Sequence, residues 1–217
     1  MMRRIAHHAV LCGASLLLGA AVYFYLPSKD PLFKVSMATA YASLALLALS
    51  LMIGPWNRLR GRPNPVSGYL RRDTGIWAGV IGIAHVVVGL QIHFRGRMWL
   101  YFLPPADAGY RFPLRIDPFG LTNYAGLGAT LILLLLLALS NNASLRSLGA
   151  TRWKSLQRWN YAGALLVAAH GTVYQILEKR AGALVAVFAA CSLLALALQF
   201  AGFGMVRKQM KSGVREA

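Results

Sequence analysis

"GVIGIAHVVVGLQIH", residues 79–93, places two histidines in a run of glycine, alanine and branched aliphatic residues. His85 has apolar neighbours on both sides for a full helical turn. A polar ring in such surroundings needs a partner, because an unbonded buried polar group is costly. Whether the run belongs to a soluble core or to a bilayer is decided by the rest of the chain.

Hydrophobic residues make up 57% of the 217, and only 13% are charged. A soluble domain of this size needs more polar surface, so the composition points to a membrane protein. The formal net charge of +17 is spread between the apolar runs. No element forms a basic stripe with interleaved aromatics, which argues against nucleic-acid binding. Cys12 and Cys191 lie alone in apolar runs and make no disulfide framework; they read as small buried hydrophobes. The N-terminus, "MMRRIAHHAVLCGASLLLGAAVYFYL", imitates a signal peptide. Leu11 stands where a lipoprotein signal needs a small residue, and the apolar run continues to Leu26. It reads as a retained first span.

A helix needs roughly 20 apolar residues to cross a hydrocarbon core of about 30 Å. Six stretches qualify: about 8–26, 35–54, 74–93, 121–140, 159–177 and 182–205. The expected fold is all-α, a six-helix transmembrane bundle forming a single integral membrane domain over 1–217, with no soluble domain and no internal repeat. Lysine and arginine counts set its orientation. Fifteen fall on the side of both termini, including Arg58, Arg71, Arg72, Arg152 and Arg158. Eight fall on the other, including Lys29, Arg95, Arg111 and Arg180. Both termini are therefore expected in the cytoplasm of a bacterial inner membrane. The longest outer connection, about 94–120, carries Trp99, Tyr101, Phe102, Tyr110 and Phe112, which suits a segment lying in the interface.

Ionisable residues inside spans are expensive and usually functional. His85 comes eleven residues after Thr74, and His170 eleven after Trp159, on spans running the same way. At about 1.5 Å per residue the two imidazoles reach one depth. Two neutral imidazoles at one level are what a six-coordinate haem iron requires. Gly75, Ala78, Gly82, His85 and Gly89 recur at intervals of three and four and so share a face. That face leaves room for a flat macrocycle; it also suits close helix packing. His93 lies about 12 Å and roughly 80° from His85, so it cannot share the iron from an unbroken helix. It reads as an interfacial histidine, with a haem-propionate contact or an outer metal ligand as lesser readings, and His7 and His8 read as interfacial too. Arg71, Arg72, Arg152, Lys154 and Arg158 line the inner rim, where they serve topology or hold a flavin phosphate or haem propionate. Trp77, Trp153, Trp159 and Tyr161 fall near the same rim, as belt anchors or as a flavin-stacking surface.

"RRDTGIWAGVIGIAH" (71–85), followed by "LGATRWKSLQRWNYAGALLVAAH" (148–170), resembles the ferric-reductase-like transmembrane domain family. The nearest branch is the haem-binding membrane subunit of the periplasmic methionine sulfoxide reductase system (MsrQ type). The likeness covers about span two to span five, and the family core corresponds to about 35–205. It implies a b-type cytochrome with His85 and His170 as ligands. Such a subunit takes electrons from a cytoplasmic flavin or flavin reductase, or from quinol, and passes them to a periplasmic reductase. It is an electron-transfer subunit and not a complete enzyme, with haem b and FMN or another flavin as its cofactors and membrane lipid around it. Family members often carry a further histidine thirteen residues before the span-five ligand. Gln157 stands there in this chain, which points to a single haem. The alternative reading is a transporter or scaffold that uses His85 and His170 as proton or metal relays; against the relay, no Asp or Glu falls within the six spans.

Overall fold

The computed structural model describes residues 2–62, 69–105, 109 and 112–213. Tyr110 and Arg111, used above for the outer loop and topology, and Arg215, one of the fifteen counted on the side of the termini, lie outside the described residues. All regular structure among the described residues is helical. The α-helices are α1 (Met2–Tyr25), α2 (Pro31–Leu59), α3 (Tyr69–Gly89), α4 (Pro118–Leu139), α5 (Asn142–Gln157), α6 (Trp159–Leu177) and α7 (Ala183–Gly213), with a 3₁₀ turn at Met98–Tyr101.

Two of these helices begin with the same device. Asp30 caps α2 by accepting from the Leu32 N–H, and Asp117 caps α4 by accepting from the Gly120 N–H; proline follows each aspartate. The carboxylate satisfies an otherwise unbonded N–H. The proline, which has no N–H to satisfy, fixes φ for the first turn. Both helices run antiparallel to α3, through Ser43 and Ser50 of α2 and Leu133 and Leu137 of α4, and so start at one end of the bundle, called the upper end below.

The helices alternate in direction. Ser50 Oγ donates to the Arg71 carbonyl and Ser43 Oγ to the Ala78 carbonyl, so α2 and α3 are antiparallel. Likewise Thr122 of α4 meets His170 of α6, while Gly163 near the start of α6 faces Ile132 further along α4. The α2–α3 and α4–α6 pairs are the most extensive contacts in the molecule. α1 and α7 pack mainly on α2.

Polarity is distributed inside out. Leu17, Phe24, Leu165, Leu193 and Phe200 point outward, while Arg72, Asp73, Thr74, Thr122 and Asn123 are buried. A bilayer tolerates such an outside, and helices satisfy their own backbone groups within it. Four helices, α1, α2, α4 and α7, are long and apolar enough to cross a membrane. α3 and α6 fall short on that measure because they carry the polar residues described next. Two boundaries also moved. The connection between the fourth and fifth spans contains a helix, α5, bent at Gly149 (φ 71°), and the last helix runs on to Gly213.

Candidate functional site: a cavity between two histidine-bearing hairpins

His85 and His170 line one cavity of about 280 Å³. Both are half-buried although they lie well inside their helices, which places their exposed surface on the cavity and not on the outside. α3 runs antiparallel to α2 and α6 to α4, and α3 is antiparallel to α4 as well, since Gly79 faces Leu137 and Gly82 faces Leu133. Hence α3 and α6 run parallel, and each brings its histidine to the cavity.

Each imidazole is oriented by the helix opposite it. His85 Nδ1 lies 3.0 Å from the Ser36 carbonyl and 3.2 Å from its hydroxyl. His170 Nδ1 lies 2.8 Å from the Thr122 carbonyl, and the Thr122 hydroxyl donates back to the His170 carbonyl at 3.2 Å. A carbonyl oxygen only accepts, so Nδ1 is the protonated nitrogen in both rings. The lone pair is therefore on Nε2 in each. A backbone carbonyl on the far nitrogen is the usual support of a metal-bound histidine, fixing ring and tautomer together. Among the described residues no three or more His, Cys, Asp or Glu gather to hold a bare metal ion. A pair of Nε2 donors instead suits a metal whose other positions are filled by a macrocycle.

Gly126 of α4 belongs to the same arrangement. A Cβ there would stand 2.9 Å from His170 Nδ1, closer than the ring allows. Its backbone comes up against the imidazole because it has no side chain.

The glycine stripe of α3 has a second occupation. Cβ atoms at Gly75, Gly82 and Gly89 would meet the hydroxyls of Ser50, Ser43 and Ser36 at 3.3, 3.0 and 3.5 Å. The stripe thus packs glycine against serine at every seventh residue of both helices. Gly82 and Gly89 also line the cavity. The face expected to stay open for a macrocycle is shared with α2.

His93 is less ordinary than its interfacial position implied. It lies at the upper mouth of the cavity, with Nε2 3.6 Å from Glu178 Oε1. Arg180 donates from Nε and Nη2 to Glu178 Oε2, at 3.1 and 2.6 Å. Burial pushes the Glu178 carboxyl up, but the His93 and Arg180 side chains bonded to it outweigh burial and hold it below the ordinary 4.5. The Tyr101 hydroxyl donates to the Gly89 carbonyl and accepts from the His93 N–H. Its ring stacks with Phe119, and Phe94 packs edge-on to it. Part of the long upper connection is therefore a lid of aromatic rings, whereas Trp99 and Phe112 remain exposed as the interface reading expects.

The lower rim does not join this site. Arg72 is buried, donates to Asn142 Oδ1 at 2.8 Å and lies over the Tyr69 ring. Arg71 is half-buried, Arg158 exposed at the α5–α6 junction, and none of the three lines the cavity. Trp77 donates from Nε1 to His8 Nδ1 of α1, and Trp153 to the Leu139 carbonyl at the end of α4. These two tryptophans serve different helix contacts. Asp73, wholly buried just below the expected span, accepts from Arg4 at 3.2 Å and lies 3.7 Å from His8 Nε2.

No family model matches this chain, and no curated protein does.

Sequence reading found the two histidines and missed what orients them. Ser36 and Thr122 act through backbone carbonyls, which leave no mark on residue type. The Asp–Pro pairs at 30–31 and 117–118 were the available signal, since the orienting residue follows each within two turns.

Proposed function

We propose that the chain is a b-type cytochrome subunit, with six passes through a bacterial inner membrane and both termini in the cytoplasm. The observation that carries this reading is the pair of imidazoles on one cavity, each with Nδ1–H held by a backbone carbonyl and Nε2 left to bind a metal. The resemblance of residues 71–85 and 148–170 to the ferric-reductase-like family agrees with it. The positive-inside distribution supports the six passes, as does the alternation of helix directions.

A haem b bound there supplies a reversible ferric–ferrous couple. His85 and His170 would hold the metal, and the Ser36 and Thr122 carbonyls keep both rings from turning. Hydrogen bonding at Nδ1 makes Nε2 a stronger donor, which favours the oxidised metal. Leu44, Leu127, Leu133 and Val167 wall the cavity, so the chain would tune the couple by its apolar surroundings as well as by ligation. The protein breaks no substrate bond. It takes electrons from a cytoplasmic flavin reductase or quinol and delivers them to a periplasmic reductase, one repairing oxidised methionine being the acceptor the resemblance favours.

The visible spectrum of the purified protein tests this. A Soret band that shifts and sharpens on dithionite, with narrow α and β bands, is expected. A colourless folded preparation from haem-sufficient cells overturns it.

A further inference from the structure

Most of the cavity's boundary is closed by packed side chains. Below it, a Cβ at Gly79 would stand 2.9 Å from Leu137 and one at Gly163 3.1 Å from Ile132, so α3 and α6 each close on α4. On the side between α2 and α6, Phe188 of α7 lies against Gly171. The Tyr41 hydroxyl there donates to the Leu184 carbonyl and accepts from Gln175 Nε2. At the upper mouth, Tyr101 and Phe94 cover the α3–α4 side by packing on Phe119.

The remaining side of the mouth, between the ends of α3 and α6, is closed differently. Among the described residues it is spanned by His93 and Glu178, 3.6 Å apart and an ion pair whenever the imidazole is protonated. His93 follows the end of α3 and Glu178 caps α6, so the pair reaches from one hairpin to the other. Each partner is held from behind. The His93 N–H donates to the Tyr101 hydroxyl, and Arg180 donates to Glu178 Oε2 at 2.6 Å. The contact itself is partly exposed, 38% at His93 and 26% at Glu178. Such a pair is weak, whereas close-packed side chains lose many contacts together when they part. Local opening begins where contacts are weakest. We propose that the cavity fills through its upper mouth, between the ends of α3 and α6, and that the His93–Glu178 pair is the latch across this entrance. The route is the same for the haem proposed above and for any other occupant. With the termini in the cytoplasm, as proposed above, the entrance faces the periplasm.

Thiol labelling of the full-length protein in detergent tests the latch. In a background carrying Cys12→Ser and Cys191→Ser, Ala129→Cys places a thiol on the cavity wall, at a residue only 4% exposed. Ala48→Cys, equally buried but away from the cavity, reports general loosening. The probe is a charged, water-soluble methanethiosulfonate at about pH 5.5, where imidazoles commonly carry charge and Glu178 remains ionised. Glu178→Gln and His93→Gln should each speed labelling at Ala129→Cys by about two- to fivefold, the scale of one exposed ion pair. Both together should do no more than either alone, because each removes the same contact. His93→Lys, which keeps a cation opposite Glu178, should hold the rate near that of the unsubstituted pair. Labelling at Ala48→Cys should not change. An Ala129→Cys rate that neither glutamine substitution moves overturns the latch, and so does a thiol there that no variant exposes to the probe. Additive effects of the two substitutions overturn the pairing. Equal acceleration at Ala48→Cys also overturns the proposal, since the pair then supports the fold and guards no entrance.

Discussion

At the residue scale the site depends on groups with almost no side chain. Gly126→Ala would set a methyl 2.9 Å from His170 Nδ1, so the ring must turn and the bond to the Thr122 carbonyl must stretch. A high-spin fraction should appear in the absorption spectrum, at a stability cost of about 1–3 kcal/mol. His85→Ala and His170→Ala should each abolish the low-spin spectrum, whereas His93→Ala should keep it. An unchanged spectrum in either of the first two would refute the ligation. Glu178 gives a pH dependence. Its carboxyl is held below the ordinary 4.5, so its contribution is full above that value and is lost only as the pH falls through the depressed one. The acid limb of a thermal-stability profile should therefore lie below pH 4.5, and Glu178→Gln should flatten it. The histidines were legible in sequence because an imidazole among aliphatic residues is conspicuous. The carbonyls that orient them were not, because every residue has one.

At the scale of elements, the α2–α3 pair is registered by a repeated contact. Ser50, Ser43 and Ser36 each face a glycine of α3 and each hydrogen-bond four residues before it, to the carbonyls of Arg71 and Ala78 and then to the His85 ring. The site is the third step of a ladder whose first two steps are purely structural. Gly82→Ala brings a methyl to 3.0 Å from the Ser43 hydroxyl and 3.3 Å from Leu133, and should lower the thermal midpoint. Gly13→Ala, with nothing near it in α1, should be neutral or stabilising by up to about 1 kcal/mol. Equal effects of the two substitutions would contradict the packing role. The period of the stripe was visible in α3 alone. Its partner was not, since serines in an apolar run read equally well as bonding back to their own helix. α5 escaped notice because "NASLRSLGATRWKSLQ" is polar and broken by Gly149, so no apolar period announces it.

At the scale of the whole molecule, His8 and Arg72 at the lower end already have partners. His8 has Trp77 on Nδ1 and Asp73 near Nε2, and Arg72 donates from Nη1 to Asn142 and lies over the Tyr69 ring. A pyridine-haemochrome assay against protein concentration should therefore give one haem per chain. A ratio of two that survives replacement of His7 and His8 would show that the lower rim had been misread. The overall helical architecture followed from apolar run lengths. α3 and α6 each carry a histidine of the cavity and fall short of the apolar length of a membrane span, α3 also because it opens on Arg71, Arg72 and Asp73.

α3 and α6 pack on α2 and α4, respectively, far more than on each other, so each histidine belongs to its own hairpin. A group held by both Nε2 atoms would also clamp one half of the protein to the other. Occupancy and cohesion are then a single thermodynamic quantity, because a ligand that binds only the assembled form stabilises it by mass action. With the proposed haem in that place, a cell short of it would hold a population of half-joined hairpins, open to membrane proteases along the seam between them, and abundance of the protein would follow haem supply with no dedicated regulator.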